Sequence, residues 1–533
     1  MNPSLDVSTW TSLRGRRGWV FDFTLGALAV LGQAPFHIWG LTLFSLALFK
    51  LRLDRCADEG SDGGFSLGLA YGLGYFFVGM FWIGSAFLAR GGGYVLLMPP
   101  MILGLACLLA VFWAIAAKLY VKGQFTLWLS IAAFTSLFSL AELARGHVLG
   151  GLPWNLLGYI FPAGGPMSQS ASFMGIYGLT GFACCIAAFL SAALDRSNLF
   201  WRRMVPICFA VAGVAGLYGF GVNRLAASHV SYVDNVRLRI VQVPFDQSDK
   251  FDPEKSIGIV NQFIGQSLSP GIEEVTHIIW PEGAVNGLAL ENGPLMQVMG
   301  EALLSVDDTP PVWLLQSLRH EVHELSNGRS IDRYFNTSAA VTFDQKAAAS
   351  IVAYNDKSRL VPFGEFVPGG EWVQRYNIET LSTVTASLSS APEKTHAQFP
   401  GLPTVSPRIC YEIIFPGLSP STTQENAARW ILNQSNDAWY GRSIGPYQHY
   451  NQARYRAIEE GLPIVRAASN GISGVIDSYG RPAQTLMPEA RGVVDVFLPQ
   501  TIVKRVKIHN ITLYLLLINL LVCLVCVSVR QHV

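Results

Sequence analysis

Charge is scarce in this chain: only 14% of its 533 residues are Asp, Glu, Lys or Arg, against about 25% in a typical soluble domain. With half of the residues hydrophobic, that scarcity excludes an ordinary soluble protein and points to a membrane. The charge that is present is nearly balanced, at +1 net, and no Lys/Arg-rich block interrupts it. The electrostatic footprint that would hold DNA or RNA is therefore missing, and no nucleic-acid partner is expected. Cysteine is scarce where it could cross-link. Cys56, Cys107, Cys184, Cys185, Cys208, Cys523 and Cys526 lie in or beside hydrophobic runs, and the polar stretch 226–505 contains Cys410 alone. One thiol makes no internal disulfide and no multi-cysteine zinc site. Neither H-E-x-x-H nor H-x-x-E-H occurs, so no metal or cofactor is expected. Internal repeats of 20–50 residues are also absent.

What the chain has in abundance is apolar length. Hydrophobic segments fall near 19–34, 37–49, 65–89, 94–117, 125–144, 170–194, 204–222 and 510–528, most of them close to the ~20 residues that cross ~30 Å of hydrocarbon. The first two are short, and Pro35 between them suggests a tight helical hairpin. Eight spans are expected: about seven in a membrane domain over 1–225 and one C-terminal span over 506–533, with a polar domain over 226–505 between them. Arg14, Arg16 and Arg17 precede the first span. Lys50, Arg52 and Arg55 follow the second, Lys118 and Lys122 the fourth, and Arg196, Arg202 and Arg203 the sixth, while the alternate loops are poorer in basic residues. Basic loops stay in the cytoplasm, so the polar domain is expected on the opposite side. The stretch 14–29 mimics a signal peptide, but seven further spans favour an uncleaved first helix.

The polar domain reads as short β-rich runs at 236–245, 276–283, 310–318, 338–344, 407–415, 429–437, 463–471 and 473–480, bounded by turn residues. Helical stretches lie between several of them, clearest over 445–461, which ends on Gly461. Strands with interleaved helices predict a layered α/β domain.

Three motifs in this domain place a reactive or charged side chain at or just beyond a β-like run. Glu282 follows "HIIWP", Lys357 lies in "YNDKSRLVPFGEFVP", and Cys410 lies in "PRICYEIIFP". Taken singly, each has a plain reading as a turn residue, a solvated lysine or a small core hydrophobe. Together they supply a nucleophile, a carboxylate base and a cation. A thiol near its free pKa of ~8.5 is mostly protonated at neutral pH and gains from a base, and acyl transfer develops an oxyanion that a fixed ammonium can stabilise.

This order of motifs resembles the nitrilase, or carbon–nitrogen hydrolase, superfamily with its Glu-Lys-Cys triad. With membrane spans before and after, and with the stretch from Asn436 to Asp477 ("NDAWYG" through "SNGISGVID"), the chain resembles the membrane-bound bacterial branch, the apolipoprotein N-acyltransferases. The resemblance implies a helical membrane domain joined to an α-β-β-α sandwich in the periplasm, in a bacterial inner membrane. It also implies transfer of an acyl chain from a phospholipid, through a thioester on the cysteine, to the α-amine of a diacylglyceryl-cysteine apolipoprotein. It makes Glu282 the base, Lys357 the oxyanion stabiliser and Cys410 the nucleophile. Glu365, Tyr411 and Glu412 support them, and Trp439 and Tyr440 form an aromatic loop near the site. One departure is Phe251, where the family usually carries tryptophan. Segment 366–398 is long enough for a lid, and an ordinary surface loop fits it equally. The rival readings are a membrane-tethered amidase or nitrilase acting on a small amide, and a transporter or scaffold with an inactive domain.

Overall fold

The computed structural model describes residues 10–123, 125–195, 199–324, 330–366, 388–392, 396–419, 427–502, 517–519 and 521–522. Most of the eighth expected span and of the 366–398 segment lies outside these residues. The chain divides into two compact units. One takes in the chain up to Ser228 together with Arg442–Glu459, and the other takes in His229–Gly441 and Glu460–Arg505.

The first unit is helical: α1 Gly15–Ala29, α2 Trp39–Asp58, α3 Gly64–Met80, α4 Gly84–Arg90, α5 Tyr94–Gly123, α6 Leu127–Arg145, α7 Ala171–Leu194 and α8 Phe200–Ala226. Among the described residues five stretches are long and apolar enough to cross a membrane: Gly64–Arg90, Tyr94–Gly123, Leu127–Arg145, Met167–Leu194 and Phe200–Ala226. They coincide with the third to seventh expected spans. The first two expected spans are helices α1 and α2. At 15 residues and ~1.5 Å per residue, α1 falls short of the hydrocarbon thickness. In α2 the helix runs on through Lys50, Arg52, Asp54, Arg55 and Asp58, so three basic residues expected in a loop are helical. Arg52 is buried and forked onto Asp22 of α1, its Nη2 donating to Oδ2 at 2.8 Å.

Glycine lets these helices approach backbone to backbone. A Cβ at Gly26 of α1 would lie 1.9 Å from the Tyr71 carbonyl of α3, and one at Gly74 of α3 would lie 2.0 Å from the Phe23 carbonyl of α1. In lipid, where apolar burial between helices gives little driving force, such close small-residue packing is a main source of association.

The second unit is built on two sheets. The strands are β1 Tyr232–Gln242, β2 His277–Ile279, β3 Val312–Glu324, β4 Ser330–Phe343, β5 Ala349–Asp356, β6 Val405–Ile409, β7 Trp430–Asn436, β8 Ile464–Ser469, β9 Ser473–Ile476, β10 Pro482–Leu486 and β11 Gly492–Pro499. One sheet runs β11-β1-β2-β3-β4-β5 and the other β10-β9-β8-β7-β6. Strands β1, β2 and β3 pair in parallel, as do β6, β7 and β8.

The period-2 alternation of a strand sorts its side chains between two cores. Leu238, Ile240, Ile279, Leu314 and Ala340 of the first sheet face Val405, Leu432, Val465 and Ala467 of the second. Their neighbours Val241, Ile278, Trp313, Leu315 and Val341 point the other way, against helices α9 Pro253–Ser267 and α10 Gly293–Leu304. Each fully buried large side chain in these layers stabilises the fold by about 1.5–3 kcal/mol. Helix α9 starts where Asp252 Oδ1 accepts from Glu254 N at 3.0 Å, with Pro253 at its first position, a strong N-terminal signal.

The expected helix over 445–461 is α11, Gly445–Glu460, and it packs within the first unit. Gln448 Oε1 accepts from Trp82 Nε1 at 3.1 Å and from Trp154 Nε1 at 2.8 Å. Tyr455 donates to the Phe161 carbonyl at 2.6 Å, and Glu459 Oε1 accepts from Ile176 N at 2.6 Å.

Candidate active site

In a parallel sheet every strand delivers its C-terminal residues to the same edge, which is why ligands in such folds gather there. Cys410 leaves the end of β6, Asn436 ends β7, and Glu282 stands three residues beyond β2. Lys357 follows the last residue of the antiparallel strand β5.

The expected strand over 407–415 ends early: pairing with β7 stops at Ile409, and residues Cys410–Ile414 form a 3-10 turn. The break is at the cysteine itself, whose φ is +49°. A left-handed backbone at a non-glycine residue costs on the order of 1–3 kcal/mol and is held only by strong surroundings. Here the hold is Glu412. Its Oε1 accepts from Ser358 N and Ser358 Oγ, each at 2.9 Å, and from Arg359 N at 3.1 Å, while Oε2 accepts from Ile409 N at 2.9 Å. Glu412 thus ties the turn bearing Cys410 to the residues after Lys357.

The two other carboxylates are held by one side chain that sequence reasoning missed. Asn336 Nδ2 donates to Glu282 Oε1 at 2.9 Å and to Glu365 Oε1 at 3.0 Å. Its Oδ1 accepts from Gln316 Nε2 at 2.7 Å, and Gln316 Oε1 accepts from Gly283 N at 3.0 Å. That relay fixes which end of the Asn336 amide faces the carboxylates. The available signal was the polar run Asn336-Thr337-Ser338 inside a strand, all of it buried. Asn436, also missed, donates its backbone N–H to Glu282 Oε2 at 3.0 Å. Lys357 Nζ donates to Glu365 Oε1 at 2.8 Å, and Lys357 N to the Asn336 carbonyl at 2.7 Å.

The Cys410 thiol completes the cluster, close enough to Glu282 for each group to shift the other's titration. Burial and the nearby charges of Glu282 and Asp437 outweigh Lys357 and push that thiol up to about 12. Burial also raises Glu282 above its ordinary value, helped by Glu365 and opposed by Lys357, the hydrogen bond from Asn336 and the Cys410 thiol. For Lys357 burial disfavours the charge, but Glu365 and Glu282 prevail and hold it protonated, above the usual lysine range. The arrangement sets a thiol beside a carboxyl group, with an ammonium close to both. It suits proton transfer concerted with nucleophilic attack, followed by charge stabilisation.

Tyr411 lies in the same turn, its ring edge-on to Phe415 with centroids 5.0 Å apart. Trp439 and Tyr440 sit half-buried in the 3-10 turn Asp437–Tyr440 after β7, and burial raises Tyr440 well above its ordinary value. Below them Asp437 Oδ2 accepts from Arg466 Nη2 at 2.7 Å, both groups fully buried. Phe251 is 64% exposed. The described residues hold no group of three or more His, Cys, Asp or Glu placed to bind a metal.

Residues 25–189 match the family model of the apolipoprotein N-acyltransferase N-terminal domain, and residues 278–506 match that of carbon–nitrogen hydrolase. The chain is similar to the apolipoprotein N-acyltransferase of Rhodopseudomonas palustris, at 34% identity over 497 residues, covering 90% of each chain. It is 33% identical to that of Bradyrhizobium diazoefficiens, over 91% of this chain and 90% of the relative. The relative from Caulobacter vibrioides is also 33% identical, over 92% of this chain and 91% of its own.

Proposed function

Because the chain belongs to the apolipoprotein N-acyltransferase family, we propose that this membrane acyltransferase modifies lipoproteins through a thioester on Cys410. As its base Glu282 takes the thiol proton, Sγ attacks the ester carbonyl of a membrane phospholipid, and the ammonium of Lys357 faces the oxyanion. Collapse breaks the ester C–O bond, and the lysophospholipid leaves with the proton. The free α-amine of a diacylglyceryl-cysteine then attacks the thioester, Glu282 accepts the amine proton, and the amide forms as the thiol departs and is reprotonated. Glu365 holds Lys357 in place. We place the enzyme in the bacterial inner membrane, with the second unit in the periplasm, where the asymmetry of basic residues favours it. Both substrates are lipid-anchored, so a bilayer-tied enzyme avoids extracting acyl chains at about 0.8 kcal/mol per CH₂.

The observation that carries this reading is the convergence of Glu282, Lys357 and Cys410 in one cluster, with Lys357 and Cys410 buried and Glu282 partly so. The test is intact-protein mass spectrometry of wild type and Cys410→Ala after exposure to phospholipid, with lysophospholipid followed before any peptide is added. A long-chain adduct on wild type alone, transferable to a diacylglyceryl peptide, is expected. Lysophospholipid that forms only with peptide present would contradict the two-step route, and free fatty acid in place of acylated peptide would mark a hydrolase.

A further inference from the structure

A second lysine, absent from the triad, is buried beside the base. Lys250 belongs to the 3-10 turn Gln247–Phe251 and is 8% exposed. Lysine is almost never buried to this degree without an ionic partner, yet among the described residues no carboxylate lies within ion-pair distance of it. Its Nζ donates instead to the carbonyl of Gly283, the residue after Glu282, and stands 5.4 Å from the centre of the Phe245 ring. Its own carbonyl accepts from Asn286 Nδ2 at 2.6 Å.

Gly283 is in the left-handed region, at φ +77°, and a Cβ there would lie 2.7 Å from Asn436 Nδ2 and 3.1 Å from Lys250 Nζ. Its N–H is held by Gln316 and its carbonyl by Lys250, so both backbone groups that follow Glu282 are fixed by side chains.

We propose that Lys250 is a positioning residue of the acyl-transfer site, whose ammonium tethers the Gly283 carbonyl and supplies a second positive charge that keeps Glu282 ionised to receive the thiol proton. This rests on the reading of Glu282 as the base. The charged and titratable groups facing Glu282 are Lys357 and Glu365 from the segment after β5, Cys410 from the turn after β6, Tyr440 from the turn after β7 and Lys250 from the turn after β1. Of these, Lys357 and Lys250 alone bring positive charge, and Lys357 is already paired with Glu365.

Burial lowers Lys250 to about 8, with the charge of Glu282 pulling the other way. The residue is therefore cationic throughout the acidic range in which a buried carboxylate titrates. Because the interaction is mutual, that charge favours the carboxylate form of Glu282. Its removal moves the loss of base function to higher pH.

The experiment measures the pH dependence of Cys410 alkylation by iodoacetamide in the detergent-solubilised full-length enzyme. Peptide mass spectrometry reads Cys410 apart from the membrane cysteines. Wild type should lose reactivity on acidification, and Glu282→Gln should abolish that limb. Lys250→Gln keeps a donor for the Gly283 carbonyl and removes only the charge. It and Lys250→Met should move the limb up by roughly one pH unit, and Lys250→Arg should restore it. Thermal melts confirm that each variant is folded, and Lys250→Gln decides the matter if Lys250→Met is not. A limb that stays in place while reactivity falls equally at every pH would make Lys250 a packing residue and overturn the proposal. A wild-type limb that survives in Glu282→Gln would remove Glu282 as the base, and the proposal would fall with it.

Discussion

At Cys410 the thiol is held neutral by burial and by the nearby Glu282, so in the proposed route nucleophile formation depends on Glu282 remaining ionised. The sign follows from the raised Glu282 pKa: as pH falls through it the carboxylate protonates and the base is lost. Thioester formation should thus decline on acidification at a pH above the ~4.3 of an ordinary glutamate, as a pH profile of lysophospholipid release would read. Glu282→Gln, which keeps the shape without the base, should suppress both half-reactions. Cys410→Ser should fold yet lose turnover by about 10³-fold or more. Asn336 offers a sharper test, because one amide group serves both carboxylates. Hydrogen bonds to charged groups contribute about 1.5–3 kcal/mol each. Asn336→Leu should accordingly slow acyl transfer by roughly 10–10², with Glu282 titrating at higher pH still. An unchanged rate in that variant would show that the shared donor is dispensable.

Among the elements, the turn Cys410–Ile414 matters most, since the expected strand stops where the proposed nucleophile begins. Its strained first residue is braced by Glu412, which accepts from Ile409 N at the end of β6 and from the segment after Lys357. Each buried donor left without a partner costs about 1–3 kcal/mol. Glu412→Ala should lower thermal stability and activity together, with the melting temperature of the purified enzyme down by several degrees, whereas Glu412→Gln should recover part of both. Activity lost with no change in melting would instead give Glu412 a direct part in the reaction. The two sheets meet behind the site through Gln434 of β7, which accepts from Ser338 Oγ of β4 at 2.6 Å and donates to the Trp280 carbonyl at 2.8 Å. That polar pin, together with the apolar layer, fixes the separation of the strand ends that carry Glu282 and Cys410.

Over the whole molecule, the division into units does not follow the division of the sequence into apolar and polar parts. Helix α11 lies far along the polar region, yet its contacts with Trp82, Trp154, Phe161 and Ile176 are within the first unit. Glu459 is central to that docking. Its Oε1 accepts from Ile176 N, next to the break in α7 where Gly175 has φ +65°, and its Oε2 pairs with Arg456 at 2.6 Å. Removing one partner of such a buried pair costs about 3–5 kcal/mol. Glu459→Leu should therefore destabilise the full-length protein markedly in a thermal melt while leaving every residue of the proposed triad unchanged.

The sequence by itself determined the elements whose signal is local. Apolar length set the five membrane-capable helices, alternation set the inner strands, and the residue types after β2, β5 and β6 marked Glu282, Lys357 and Cys410 as candidates. Strands β5 and β10 went unread because both lie at a sheet edge and are largely exposed, which weakens the alternation that betrays a buried strand, and β11 went unread as well. Tertiary structure alone decided the rest. It turned Glu412 toward backbone donors, set Asn336 between two carboxylates, buried Lys250 against Gly283 and placed α11 with the membrane helices. The physical reason is common to all four. A polar side chain takes its role from the groups that satisfy it after burial, and those groups come from residues far away along the chain.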